Sequence, residues 1–141
     1  MPSSMEHVVR FFEQEIPFNR FLGIRVAAVR EGLVRLELPF RSEFIGDPRR
    51  PALHGGILST LLDAAGGAAT FSRVDPEDRI STIDLRVDFL LPGGPELICA
   101  EAEVVRLGNR VSVIDARAFH PSAPERTVAT GKGVYNVRRD G

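Results

Sequence analysis

The sequence predicts an α+β fold in which an antiparallel β-sheet wraps around one long, apolar central α-helix. Three observations lead there. The segment 51–72, PALHGGILSTLLDAAGGAATFS, is almost wholly small or apolar. Four strand-like runs follow it, at 81–92, 96–107, 110–120 and 126–139, with only short links between them. Short links favour antiparallel pairing, because parallel neighbours need crossovers of a dozen or more residues. A sheet of that size has a face to bury, and the apolar helix is the element available to cover it. The 141 residues are enough for one domain with a real core, 1–141, and not for two.

Taken in order, EHVVRFFEQEI (6–16) carries Val8, Val9, Phe11, Phe12 and Ile16 at helical spacing, and Pro17 is expected to stop that helix. IRVAAVREGLVRLELPF (24–40) has strand-like runs on both sides of a turn, where Gly32 supplies the permissive backbone of a hairpin. RSEFIGDPRRP (41–51), with two prolines, a glycine and several charges, is a loop that delivers the helix start. Beyond the helix and the loop RVDPEDR, STIDLRVDFLLP alternates as a half-buried strand. It sets Ile83, Leu85, Val87 and Phe89 on one face and Thr82, Asp84, Arg86 and Asp88 on the other. ELICAEAEVVRL and RVSVIDARAFH flank a Gly-Asn turn, and RTVATGKGVYNVRR closes the series after PSAPE. Its Gly-Lys-Gly at 131–133 is too short for a nucleotide phosphate loop and is expected to mark a bulge.

Composition removes several function classes. The 18 basic and 19 acidic residues are interspersed and leave a formal charge of −1, which gives no long-range field for nucleic acid. The one cysteine, Cys99, has no internal partner for a disulfide, and MPSSMEHVVRFF lacks the basic and apolar regions of a signal peptide, so the cytoplasm is the expected location. No stretch approaches the roughly 18 apolar residues of a membrane span. The isolated histidines and Cys99 have no metal-ligand spacing, and no metal or other cofactor is expected. No serine sits in a Gly-x-Ser-x-Gly setting, which argues against a serine hydrolase.

One acid, Asp63, interrupts the apolar helix. At about 100° per residue, Ser59, Asp63 and Thr70 fall within roughly 40° of each other, with Gly66 and Gly67 near the same stripe. Such a stripe can simply meet water, but two helix glycines each cost about 1 kcal/mol relative to alanine. They open room for the close approach of a partner backbone or a ligand. At the helix start, His54-Gly55-Gly56 leaves amide groups unobstructed where the helix has unpaired N–H donors and its dipole favours negative charge. That arrangement suits an oxyanion hole or merely a tight entry, and His54 suits capping as well as catalysis. Asp63 lies eight residues beyond Gly55, about 12 Å along a helix. Acyl chemistry needs both groups within about 3 Å of one reacting centre. If both act on one carbonyl, a second copy of the chain must supply one of them, with its helix antiparallel alongside.

LHGGILSTLLDAAGGAA followed by STIDLRVDFLLPG resembles the hotdog-fold acyl-CoA thioesterases of the phenylacetate-degradation (PaaI-like) and 4-hydroxybenzoyl-CoA thioesterase type over about residues 20 to 138. The resemblance implies a five- or six-stranded antiparallel sheet wrapped around a helix that begins near Gly55. It also implies a homodimer with two composite sites, often doubled to a tetramer, and cleavage of an acyl-CoA thioester with coenzyme A present only as part of the substrate. By the same resemblance, Gly55 gives the N–H that polarises the thioester carbonyl, and Asp63 of the partner is nucleophile or general base. Thr82, ten residues before Pro92, holds water near the carboxylate, or else is a strand hydroxyl bonded to its own backbone. His54 supports the loop and the substrate end.

Gly56, Leu58, Ser59 and Gly67 are the expected substrate-binding positions along the helix, and Arg49 and Arg50, with Lys132 and Arg138, are cations available for the coenzyme A phosphates. Phe44, Ile45, Leu58, Leu62 and Phe71 are either an aryl or medium-chain acyl tunnel or core. The sequence departs from relatives at Pro48, where many carry Asn or Gln, and at Gly67, where one branch carries a hydroxyl. The same fold also serves acyl-thioester dehydratases and hydratases, and a non-catalytic acyl-CoA binding module is the other alternative.

Overall fold

A computed structural model describes residues 2–139. The chain opens with α1 (Pro2–Arg10), a π-helical turn at Phe11–Glu15 and α2 (Pro17–Leu22). Pro17 thus does two things. It ends the first helix as expected, and it also starts the next one from its first turn, where a missing N–H costs nothing. Gly23 closes α2 with a positive φ of 87°.

The hairpin β1 (Arg25–Arg30) and β2 (Leu33–Leu38) turns at Gly32, whose φ of 82° few other residues adopt readily. The expected loop then holds a single 3₁₀ turn and two short paired strands, β3 (Ile45–Asp47) and β4 (Ala52–Leu53). The helix α3 runs from Gly55 to Phe71. Four strands follow: β5 (Arg79–Phe89), β6 (Ile98–Leu107), β7 (Val111–Phe119) and β8 (Thr127–Arg138). The main sheet is antiparallel with the order β1-β2-β6-β7-β8-β5, so β5 is an edge strand. Six strands curled around α3 form the hotdog fold.

Sequence explains the fit between helix and sheet. Ala100 and Ala102 on β6 and Ala116 and Ala118 on β7 alternate inward and are buried, so α3 lies close over the sheet. Leu58, Leu61, Leu62, Ala65, Ala68 and Ala69 meet them from α3. Burial of this one contiguous face is what holds α3 in place, since helix propensity contributes little with two glycines in its centre.

Two local expectations are corrected. Gly131-Lys132-Gly133 pairs regularly with Leu85, Arg86 and Val87, and the bulge lies opposite, in β5, where the register shifts between Thr82 and Asp84. Ile83 is the extra residue and is 58% exposed. Strict alternation therefore breaks within β5. Thr82 pairs with the buried Tyr135, and Leu85 with Gly133, so Thr82 faces the helix rather than sharing the outer face with Asp84. The strand is also less buried than its pattern suggested, because Phe89 is 55% exposed.

Candidate active site

Asp63 projects from the middle of α3 into a small polar cluster. Thr82 Oγ1 donates to Asp63 Oδ1 at 2.9 Å. The Tyr135 hydroxyl lies 3.0 Å from the same oxygen and 2.8 Å from the Asp63 main-chain carbonyl, sharing its one proton between them. The bulge at Ile83 is what brings Thr82 to the carboxylate. Oδ2 makes no hydrogen bond among the described residues and stays available to a ligand or water.

Tyr135, which sequence reasoning missed, completes this cluster, and it accounts for a glycine. A Cβ on Gly66 would stand 2.3 Å from the Tyr135 hydroxyl and 2.7 Å from Ile114 Cδ1, and one on Gly133 would stand 2.8 Å from Tyr135 Cε1. Gly66 and Gly133 therefore form the slot that lets the phenol reach α3. The close approach expected at Gly66 is made by this chain's own sheet. Thr70, placed by helical spacing on the same stripe as Asp63, is likewise buried and bonds Ser112 on β7 at 2.8 Å. The signal was Gly133-x-Tyr135, two residues of one strand face with a missing side chain beside a large one. Burial, the neighbouring Asp63 charge and the hydrogen bond to it all push the Tyr135 phenol far above its ordinary pKa, so it remains a donor.

The start of α3 is built by different means. The His54 amide bonds the Phe44 carbonyl at 2.8 Å, and the Leu53 amide bonds the Gly93 carbonyl at 2.8 Å, which clamps the entry. The His54 ring caps its own helix, Nδ1 accepting the Gly56 N–H at 2.8 Å. That bond assigns the imidazole proton to Nε2. The Gly56 amide is thus committed, whereas the Gly55 amide has no partner among the described residues. Phe89 from the end of β5 packs beside Gly55.

The remaining sequence candidates separate. Ser59 is half-buried one turn before Asp63, Leu58 and Leu62 are core, and Phe44 is buried under the helix entry. Arg49 and Arg50 stay exposed on the turn that contains Pro48 and pair with Asp47 at 3.4 and 3.2 Å. The Arg49 main-chain N–H, aided by both guanidinium groups, holds the Asp47 carboxyl below its ordinary pKa. Lys132 pairs with Asp115 away from Asp63. Among the described residues no three His, Cys, Asp or Glu side chains converge as a metal site, and no helix is long and apolar enough to cross a membrane.

Beside Asp63 and Thr82 a cavity of about 560 Å³ opens between α3, the start of β5 and the N-terminal segment. Gly67, Phe71, Phe12 and Ile16 line its apolar side.

The family model of the thioesterase superfamily matches residues 51–125, from the helix entry through β7. This chain belongs to the thioesterase superfamily. It is a thioester hydrolase by that membership, and the two motifs at its site, His54-Gly55-Gly56 and Asp63, lie inside the matched segment. The medium/long-chain acyl-CoA thioesterase YigI of Escherichia coli is 31% identical over 147 aligned residues, covering 95% of this chain and 94% of that protein. A thioesterase family protein from Silicibacter pomeroyi superposes with a TM-score of 0.87 at 31% identity, over 96% of this chain and 98% of the other. A phenylacetic acid degradation-related protein of Ralstonia eutropha shares the fold, with a TM-score of 0.80 at 21% identity over 92% and 98% of the two chains.

Proposed function

We propose that this thioesterase hydrolyses acyl-CoA, with the Asp63 carboxylate of one protomer and the helix start of a second acting on the same thioester. The observation that carries this reading is the state of Asp63: one carboxylate oxygen is bonded by Thr82 and Tyr135, the other has no partner among the described residues, and Asp63 lines a cavity with both apolar and polar walls. YigI, similar along nearly the whole chain, is named for medium- and long-chain acyl-CoA, which supports an aliphatic acyl group. The 141 residues act as one domain in the cytoplasm, with coenzyme A entering only as part of the substrate and no other cofactor.

In this mechanism Asp63 Oδ2 takes a proton from water as the water oxygen bonds to the thioester carbonyl carbon. The carbonyl becomes an oxyanion, held by the Gly55 N–H of the second protomer at the positive end of its helix. Collapse breaks the C–S bond, and coenzyme A leaves with the proton returned from Asp63. Asp63 acting instead as nucleophile would need the same placement. Tyr135 and Thr82 fix the carboxylate orientation, and His54 fixes the amide ladder at the helix start. Two protomers are required because Gly55 and Asp63 sit eight residues apart on one continuous helix, about 12 Å. The edge strand β5, with Ile83 and Phe89 exposed, supports an association that would bring two such helices together.

Two variants test this as a pair. Asp63→Asn keeps an acceptor for Thr82 and Tyr135 but loses the base, and is expected to lower thiol release from acyl-CoA about 10³-fold. Gly55→Pro removes the open N–H at the first helical position, where proline is tolerated, and His54 already has the extended backbone (φ −62°, ψ 134°) that a following proline requires. Each alone is inactive. Co-expressed in equal amounts, half the dimers are mixed and each mixed dimer has one whole site, so activity returns to about a quarter of wild type. Absence of recovery in mixed dimers would overturn the composite site, and wild-type turnover by Asp63→Asn would remove Asp63 from the mechanism.

A further inference from the structure

The Gly55 amide is open, yet the backbone that leads to it is held from outside the helix. Two main-chain bonds fix the entry, from the Leu53 N–H to the Gly93 carbonyl and from the His54 N–H to the Phe44 carbonyl, each 2.8 Å. Phe44 ends a 3₁₀ turn that runs straight into β3, so its carbonyl is fixed by regular structure. Gly93 has no such backing. It belongs to residues 90–97, which join β5 to β6 without helix or strand. Segments of that kind are the mobile parts of a fold unless something ties them down.

His120 is the tie. It lies just past β7 and is buried, and both its ring nitrogens bond the main chain of this one segment. Nε2 accepts the Gly94 N–H at 2.9 Å, and Nδ1 meets the Leu97 carbonyl at 2.9 Å. A peptide N–H can only donate, so Nε2 is unprotonated and Nδ1 carries the proton that goes to Leu97. The imidazole therefore grips the connection one residue past Gly93 and again just before β6. Gly93 in turn presses on the entry, since a Cβ there would stand 3.0 Å from Leu53 Cδ1 and 3.4 Å from Leu53 Cβ. The path from the ring to the open amide is continuous: Gly94, the Gly93 carbonyl, the Leu53 N–H, and two residues to Gly55.

We infer that His120 is a positioning residue for the oxyanion donor: through Gly94 and Gly93 it sets where the Gly55 N–H stands, without touching the substrate. The inference rests on the acyl-CoA reading above, in which that N–H holds the oxyanion. Such a donor acts within about 2.7–3.1 Å of the oxyanion, and a misplacement of about 1 Å can cost about 10²-fold in rate. The bond that matters is the one from Gly94 to Nε2, because it lies beside the carbonyl that holds Leu53. Two substitutions separate it from the other. His120→Asn can place an amide N–H where Nδ1 donates but leaves Gly94 without an acceptor, whereas His120→Gln can bring its carbonyl oxygen to the Nε2 position.

For thiol release from acyl-CoA, kcat is expected to fall about 30-fold in His120→Asn with KM within about twofold, and to stay within about threefold of wild type in His120→Gln. Hydrogen exchange at the Leu53 amide, followed by NMR, is expected to speed up in His120→Asn and not in His120→Gln. Mixed dimers then locate the effect. Co-expressed with Asp63→Asn, His120→Asn leaves one whole site in each mixed dimer and recovers about a quarter of wild-type activity. Co-expressed with Gly55→Pro it stays near its own level, because both lesions fall in the same half of the site. Unchanged kcat or unchanged Leu53 exchange in His120→Asn, or equal recovery with both partners, overturns the inference. So does recovery by Asp63→Asn with Gly55→Pro but not by Asp63→Asn with His120→Asn. Gly93→Ala, which leaves His120 in place and pushes on Leu53, keeps the test valid if His120→Asn folds poorly. Its exchange and kcat are expected to change together, and faster exchange at undiminished kcat, or no change in either, overturns the inference. Absence of thiol release by wild type, with Leu53 exchange still divided between the Asn and Gln variants, removes the thioesterase and leaves the His120 clamp on the helix entry.

Discussion

At the middle of α3, the Asp63 carboxylate is bonded by side chains from β5 and β8, and its neighbour Gly66 is filled by the ring that makes one of those bonds. At the start of the same helix, the Gly55 amide has no partner among the described residues, and the ring beside it, Phe89, is half exposed. One position is finished by its own chain and the other is left open. The difference teaches that burial and readiness are separate properties of a site. A carboxylate needs fixed donors to hold one orientation, which requires packing. An oxyanion donor needs to be unpaired until the oxyanion forms, which requires the reverse.

The sharpest way to break the finished position is at its glycines. Gly66→Ala gains about 1 kcal/mol of helix propensity but drives a methyl group into the Tyr135 hydroxyl and Ile114, and overpacking of this kind costs about 1–3 kcal/mol. With the bond to Asp63 also displaced, the net effect is a loss of about 1–2 kcal/mol in urea unfolding and of most activity. Gly67→Ala, one residue on, has only ordinary contacts to meet and is expected to gain up to about 1 kcal/mol. Equal signs for these neighbours would show that the Tyr135 slot does not constrain α3. Tyr135→Phe is the milder intrusion. It keeps the ring in the slot and removes one donor, which costs about 1 kcal/mol of stability and about tenfold in kcat with KM little changed. Unchanged kcat would reduce Tyr135 to a packing residue.

The same contrast explains what could be read from the sequence. The helix, its start at Gly55 and the antiparallel series of strands follow from local patterns: an apolar run, a glycine pair behind a cap, and alternation between short turns. Asp63 stood out because a charge in an apolar helix is anomalous wherever the helix packs. The inward turn of Thr82 was not legible by alternation, which put it on the outer face. A bulge belongs to a pair of strands, and its partner lies more than fifty residues on. Tyr135 was hidden for the same reason, since its contact with Asp63 spans 72 residues. Pro17 shows a subtler limit. The rule that proline ends a helix and the rule that it begins one are both local, and which applies depends on what the next turn packs against.

The last residues of α3 offer a third position, neither finished by hydrogen bonds nor left open, and it carries the smallest predicted effect. The His7 ring lies on Phe71, and its Nε2, though buried, has no partner among the described residues. Burial, reinforced by Arg10 and opposed by Glu15 and Glu77, lowers its pKa below 6.5. The folded state therefore prefers the neutral imidazole, and the unfolded chain binds the proton more readily. The His7 contribution is complete above the unfolded value of about 6.5 and is lost as pH falls through the lower folded value. His7→Phe keeps an aromatic ring on Phe71 without a titrating group. The Tm of wild type relative to this variant should be constant above about pH 7 and fall progressively as the pH drops below about 6.5. A difference that stays flat across that range would mean that protonated His7 finds solvent without disturbing Phe71, and the aromatic end of the helix would then be looser than the hydrogen-bonded middle by more than packing distances show.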